Sequence, residues 1–181
     1  APGCATHAAG CSVWCCEGVF ATVHPVRGAD GVAPFTKHAA AHGTGIVVLV
    51  KTSQPSSGLL QDMKVADGRT VYEVVGDLVR DWGADLVGEY GYSAVGAVVG
   101  ATYPEEQKIV RELLPKSYFL VPGYGAQGAT AKDIANAYND AGPGAIVNSS
   151  RGIMSACQKT GNNAEDYKEA ARGAAVRLRH E

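Results

Sequence analysis

Apolar runs alternate with amphipathic segments along most of this 181-residue chain. The longer runs, such as GIVVLVK at 45–51, are continuous, which is typical of strands buried on both faces of a parallel sheet. Helical periodicity is clearest at 69–83, where Val71, Val75 and Leu78 fall on one stripe. We therefore predict strands at 20–24, 45–51, 95–101, 118–122 and 144–150. The predicted helices span 30–42, 69–83, 104–115, 130–142 and 163–180.

Strict alternation of strands and helices predicts an α/β fold whose parallel strands are joined by helical crossovers. Five strand-helix units fit either an open, doubly wound sheet or part of a closed (β/α)8 barrel. A complete barrel needs about 250 residues, so this chain would supply an incomplete one.

Composition narrows the class of protein. Apolar residues make up 46% of the chain, charged residues 19%, and the net charge is −2. These values are ordinary for a globular domain and argue against a basic surface for nucleic acid or an anionic membrane. No apolar run reaches the roughly 18 residues that a membrane span requires.

The first 19 residues differ from the rest. They hold four of the five cysteines, Cys4, Cys11, Cys15 and Cys16, but not in the paired spacing of a metal site, so we predict no bound metal. They show no helix or strand period and lack the basic start and apolar core of a signal peptide. We predict an atypical segment at 1–19 and one domain at 20–181, with reduced thiols in the cytoplasm.

Candidate chemistry follows the predicted strands, because α/β folds bind ligands at the carboxyl ends of their strands. The polar groups at these ends are His24-Pro25, Thr52 to Pro55, Thr102-Tyr103, Gly123 to Gly128 and Asn148 to Gly152. His24 is expected to lie at the rim. His38 and His42 are one helical turn apart, but we expect them on a solvated helix face rather than in a metal site.

The loop GYGAQG at 123–128 matches Gly-x-Gly-x-x-Gly and has three interpretations. The first is a turn that simply needs glycine. The second is a dinucleotide-binding loop of a reductase, in which Arg151 would bind the 2′-phosphate of NADP. In the barrel interpretation this loop and NSSRG at 148–152 share one phosphate. Backbone N–H groups and Gln127 would then donate from one side and Arg151 from the other.

Four segments carry a family resemblance: KTSQPSS, GYSAVGAVVGATYPEE, FLVPGYGAQG and AIVNSSRGI. Together they resemble orotidine 5′-phosphate decarboxylase, in particular the branch with TSNPSS and VPGYGAQGG, from about residue 20 to the end and most closely over 45–155. The resemblance implies a (β/α)8 barrel, with strands four to eight present here, and a homodimer without a cofactor. The implied reaction converts orotidine monophosphate to UMP and carbon dioxide.

The resemblance also implies roles for individual residues. Ser53, with Gln54 and Pro55, would contact the pyrimidine, and Gln127 would reach the phosphate and close over the base. The phosphate-binding set would be Gly123, Gly125, Gln127, Gly128, Ser150, Arg151 and Gly152. Gln54 stands where the family has asparagine, and Ala129 where it has glycine.

The family's catalytic motif, Asp-x-Lys-x-x-Asp, lies near its strand three, which the resemblance does not cover. Its lysine would protonate the carbanion left on the ring, and its aspartates would set the local charge. Lys51 and Lys132 lack the flanking acids, and Lys64, which Asp62 and Asp67 flank at this spacing, follows strand five rather than strand three, so we assign no catalytic residue. We predict a chain that is inactive alone, with a non-catalytic nucleotide-phosphate binding module as the alternative.

Overall fold

A computed structural model of the chain describes residues 19–125, 127–140, 142–159 and 167–180. Within these residues five parallel strands form one sheet, and all five lie within a few residues of their predicted positions. The strands are β1 (Phe20–Val23), β2 (Gly45–Lys51), β3 (Ser93–Val99), β4 (Ser117–Val121) and β5 (Ala145–Val147). The four cysteines of the atypical segment lie outside the described residues.

The order of the strands distinguishes the two predicted architectures. They pair as β1-β2-β3-β4-β5, each parallel to the next one along the chain. A doubly wound sheet reverses its strand order at a switch point, whereas a (β/α)8 barrel adds each strand beside the previous one. The sheet therefore has the topology of a partial barrel.

Helices follow the strands mainly where the periodicity predicts them. The α-helices are α1 (Gly28–His42), α2 (Gly58–Gln61), α3 (Val71–Gly83), α4 (Pro104–Leu113), α5 (Ser150–Met154), α6 (Ala156–Lys159) and α7 (Tyr167–His180). Short 3-10 helices lie at Pro25–Arg27, Pro55–Ser57, Ala84–Leu86 and Lys132–Ala137. Residues 163–166 of the last predicted helix lie outside the described part of the chain.

The α-helix predicted over 130–142 is wrong, because the chain forms only a six-residue 3-10 helix there. In an α-helix the Asn139 N–H would bond to the carbonyl of Ala135. Instead the Tyr138 N–H takes that carbonyl at 3.2 Å, and the Asn139 N–H donates to Pro143 at 2.9 Å. The Asn139 side chain donates to the Tyr92 hydroxyl at 2.7 Å, and Gly142, with a φ of 96°, turns the chain toward β5.

The core lies between the sheet and the helices. Ile46, Val48, Val95 and Phe119 are completely buried on this side of the strands. The opposite face, which points inward in a closed barrel, is partly open: Phe20 on β1 and Ile146 on β5 are 42% and 50% exposed. Within the described residues β1 and β5 each pair with one strand, so two sheet edges present unpaired backbone groups.

Arg111 on α4 ties together the amino-terminal ends of β4 and β5. Its guanidinium donates to the carbonyls of Leu114, Ser117, Ala137 and Gly144 at 2.6–2.9 Å. It also stacks over the Phe119 ring, 3.6 Å from the ring centroid. Burial lowers the pKa of Arg111 to about 10, and the group remains charged at neutral pH.

Among the residues that the structure describes, none of the helices combines the length and the apolar character needed to cross a bilayer.

Candidate functional site

Parallel strands place all of the strand-following loops at one edge of the sheet. The loop after β2, residues 52–57, meets the loop after β3, residues 100–103, and the glycine-rich loop after β4. The loop after β5 joins them through Ser149, whose hydroxyl donates to the Tyr124 carbonyl at 3.4 Å. Both loops of the predicted phosphate site therefore belong to one cluster.

Ser53 is the centre of this cluster. It is 5% exposed and lies between two glycines from neighbouring strands. A Cβ atom at Gly100 would stand 2.8 Å from the Ser53 Cα, and one at Gly123 would stand 3.0 Å from the Ser53 Cβ. The first distance is shorter than real Cβ contacts and the second is tighter than most of them, so a side chain at either glycine would displace Ser53. Gly123 also has a φ of 100°, which disfavours any other residue.

Gln127 reaches back toward the same point. A Cβ at Gly123 would lie 2.9 Å from the Gln127 Oε1, so the glutamine side chain and Ser53 flank one glycine. The structure thus brings together the two residues that the sequence predicts to contact the pyrimidine and the phosphate. Gln54 and Pro55 are exposed on the same loop as Ser53.

The backbone around Ser53 is held by three side chains, one from α2 and two from the loop after β3. The Thr52 N–H donates to the Gln61 Oε1 at 3.0 Å, and Gln61 in turn donates to the Thr52 hydroxyl at 3.0 Å. The Thr102 hydroxyl donates to the Ser53 carbonyl at 3.2 Å, and the Tyr103 hydroxyl to the Gln54 carbonyl at 3.1 Å. The sequence identified Thr102 and Tyr103 only as residues after a strand, because their partners lie 49 positions away.

The glycine-rich loop closes on itself. Gly125 and Gly128 both have positive φ, 68° and 91°, and the Gly125 N–H donates to the Ala129 carbonyl at 2.9 Å. The Gly128 N–H donates to Gly125 at 3.0 Å. These two N–H groups were expected to face a phosphate, but in this conformation they form the turn. The helix expected after the loop is the short 3-10 helix described above, so its dipole adds little.

The second predicted phosphate loop forms the start of α5. Ser150, Arg151 and Gly152 occupy the first turn of this helix, with Ser149 at its N-cap position. The Arg151 side chain is exposed, whereas Ser149 is 9% exposed. Asn148, just before this turn, has a buried Oδ1 without a hydrogen-bond partner.

Lys51 has an acidic partner that the sequence did not reveal. Its ammonium group is completely buried and pairs with Asp62, whose side chain is 46% exposed. The Lys51 Nζ also lies 4.4 Å from the centroid of the Tyr103 ring and 5.5 Å from that of Tyr72 on α3. Because Tyr72 belongs to the core between sheet and helices, this lysine is directed toward the helix layer.

The histidines occupy the structural positions expected of them. His24 accepts a hydrogen bond from the Val26 N–H at 3.3 Å and caps a 3-10 helix. His38, half-buried, and His42, exposed, stack on α1 with ring centroids 3.9 Å apart. Desolvation, and secondarily the charge of His42, lower the pKa of His38. Across the described ranges, no three His, Cys, Asp or Glu side chains cluster as metal ligands would.

Comparison with known proteins identifies the fold and its family. The model of the orotidine 5′-phosphate decarboxylase / HUMPS family matches residues 17–167. The chain belongs to this family. Orotidine 5′-phosphate decarboxylase of Clostridium perfringens (strain SM101 / Type A) is 40% identical over 163 residues, which cover 90% of this chain and 56% of the relative. That of Caldicellulosiruptor bescii is 48% identical over 133 residues, 74% of this chain and 43% of the relative.

Solved decarboxylases of the family share the architecture. Leishmania donovani OMP decarboxylase superposes with a TM-score of 0.71 at 30% identity, and the match covers 95% of this chain and 60% of that one. These relatives are TIM barrels, so the five-stranded sheet is part of such a barrel, as the strand order indicates. The chain spans about half the length of the curated decarboxylases that it matches.

Proposed function

We propose that this chain binds orotidine monophosphate and UMP at the carboxyl edge of its sheet. Ser53, Gln54 and Pro55 contact the pyrimidine, and Gln127 bridges from the base to the phosphate. The phosphate lies between the glycine-rich loop and the first turn of α5. The proposed phosphate-binding residues are Gly123, Gln127, Ser150, Arg151 and Gly152, and Gly125 and Gly128 shape the loop that carries Gln127.

One observation carries this proposal: Ser53 is wedged between Gly100 and Gly123 with Gln127 beside it. A buried hydroxyl and a flexible amide around one glycine are suited to read the polar edge of a base. The two side chains come from loops that are more than 70 positions apart, so chance turn composition does not explain their meeting.

The phosphate half of the site depends on side chains more than on backbone. Since the N–H groups of Gly125 and Gly128 are used within their loop, the donors that remain for an anion include the Gln127 amide and the Arg151 guanidinium. A guanidinium binds phosphate through paired, charge-assisted hydrogen bonds. The contact between Ser149 and Tyr124 keeps the two loops together.

Decarboxylation requires a proton for the ring carbon that loses carbon dioxide. The one Asp-x-Lys-x-x-Asp string in the sequence, from Asp62 to Asp67, lies in an exposed turn after α2, where Asp62 pairs with Lys51 and Asp67 with Arg69. Lys51 itself is directed to the helix side of the sheet. We therefore infer that the chain alone binds the nucleotide without turning it over. A decarboxylation assay on the purified chain checks this inference, and turnover at an ordinary enzymatic rate of about 1 per second or more would contradict it.

Calorimetry with UMP tests the binding proposal. Arg151→Ala is expected to weaken UMP binding by about 10- to 100-fold, the range for a hydrogen bond to a charged group. Arg80→Ala is the matched control, because Arg80 is half exposed on α3 and paired with Asp77 and Asp81. Binding of NADPH without binding of UMP would instead favour a reductase and contradict the proposal.

We also expect the family's homodimer. The open edges of β1 and β5 favour association, because an unpaired strand can add to a neighbouring chain. Light scattering of the purified chain tests the state of assembly, and a monomer at all concentrations would contradict the expectation. The cytoplasmic location stays a prediction from the sequence.

A further inference from the structure

We propose that Lys51, Asp62 and Tyr103 form a positioning group that fixes the loop bearing Ser53 and Gln54, and thereby sets the affinity for the pyrimidine. This inference rests on the proposed function. None of the three residues is expected to touch the nucleotide. They act through the backbone that places Ser53 between Gly100 and Gly123.

Tyr103 makes the direct contacts to the loop. Its hydroxyl donates to the Gln54 carbonyl at 3.1 Å and accepts a hydrogen bond from the Ser57 hydroxyl at 3.4 Å. It therefore bridges the two ends of the segment 54–57. Because its own backbone directly precedes α4, whose Val110 is buried in the core, the ring is anchored independently of the loop that it holds.

Lys51 fixes the position of the Tyr103 ring and of α2. Its ammonium lies 4.4 Å from the Tyr103 ring centroid, a favourable cation–π distance, and it pairs with Asp62 directly after α2. The same short helix carries Gln61, which makes two hydrogen bonds to Thr52. The buried lysine thus links both supports of the Ser53 loop, one on each side.

Because the Lys51 ammonium is buried away from the edge of the sheet, it is suited to positioning the loop rather than to contacting a ligand. The Lys51 side chain is 0% exposed, and its ammonium is occupied by Asp62 and two tyrosine rings. An ion pair between a buried lysine and a half-exposed aspartate contributes little net stability, although buried charged groups can select one conformation. Since Lys51 lies directly before the loop that bears Ser53, we assign it the selection of one loop conformation.

The proposal predicts a separation between base and phosphate affinity. Tyr103→Phe removes only the hydroxyl, and Lys51→Met removes the charge while keeping the length of the side chain. Each variant should weaken UMP binding by about fivefold, the effect of one neutral hydrogen bond, whereas ribose 5-phosphate, which lacks the base, should bind within about twofold of the unaltered chain. Tyr90→Phe is the matched control, because Tyr90 is 85% exposed.

A measurement without nucleotide distinguishes this proposal from the proposed function. Hydrogen exchange at residues 52–57 should become faster in Tyr103→Phe and Lys51→Met, and stay unchanged in Tyr90→Phe. Unchanged exchange and UMP affinity in both variants would overturn the positioning role, as would equal weakening of UMP and ribose 5-phosphate. If the unaltered chain binds neither ligand, the proposed function fails, even if the exchange rates change as predicted.

Discussion

Replacing Arg111 by methionine should be the most destabilising single change at the amino-terminal side of the sheet. The guanidinium satisfies four backbone carbonyls that belong to α4, β4, the 3-10 helix and the entry to β5. Methionine retains the packing on Phe119 but donates no hydrogen bond. At about 1 kcal/mol for each hydrogen bond lost, the usual net contribution, the loss is about 4 kcal/mol. The Leu114 and Gly144 carbonyls still accept from the Ser117 and Phe119 N–H groups, so the larger cost of an unsatisfied carbonyl does not apply to them.

Urea denaturation measures this loss. With a slope of about 2 kcal/mol per molar urea, the midpoint should fall by about 2 M without a change in slope. Arg80→Met is the control, since its ion pairs are exposed and should contribute at most about 1 kcal/mol. Arg111→Lys should recover less than half of the loss, because an ammonium cannot reach all four carbonyls. If Arg111→Met and Arg80→Met shift the midpoint equally, Arg111 does not connect these elements.

Three further predictions concern the loops, a helix cap and the open barrel. Gly123→Ala should weaken UMP binding far more than Gly68→Ala, because both glycines have positive φ but only Gly123 faces Ser53 and Gln127. Equal effects in calorimetry would contradict the proposed placement of Ser53 between Gly100 and Gly123. Glu73→Gln should lower the unfolding free energy near about pH 7 but not near about pH 3. Hydrogen bonds from Thr70 lower the pKa of Glu73, so its stabilisation is present above the unfolded pKa and disappears as pH falls through the folded pKa. A loss of stability that is independent of pH would contradict this prediction. Ile146→Lys should reduce self-association in light scattering, because Ile146 is half exposed on the edge strand β5; an unchanged mass would show that this edge is not used.

The hydrophobic pattern was sufficient to predict the sheet. Continuous β-branched runs such as 45–51 leave little choice but a buried parallel strand, and all five strands were predicted. The pattern failed at 130–142, where the side chains look helical but Asn139 and Gly142 redirect the backbone. Propensity alone does not reveal such a turn, because the Asn139 N–H has its partner beyond the segment.

The sequence predicted which loops form the candidate site, but not how their side chains are arranged. The residues Ser53 and Gln127 could be named from motifs, but the two glycines that bring them together could not, since Gly100 is an ordinary residue of an apolar run in the sequence. The pairing of Lys51 with Asp62 was also missed. A search for acids flanking a lysine cannot find it, because the 11-residue separation is closed only by α2.

The central claim is that this chain holds a mononucleotide between Gln127 and Arg151. Isotope labelling of the glutamine side-chain amides and the arginine Nε–H groups, assigned with Gln127→Ala and Arg151→Ala, allows both groups to be followed by NMR during one titration with UMP. We predict that both resonances shift along a single saturation curve, and that uridine, which lacks the phosphate, leaves Arg151 unmoved. Resonances that stay in place with UMP, or that respond equally to uridine, would contradict the claim.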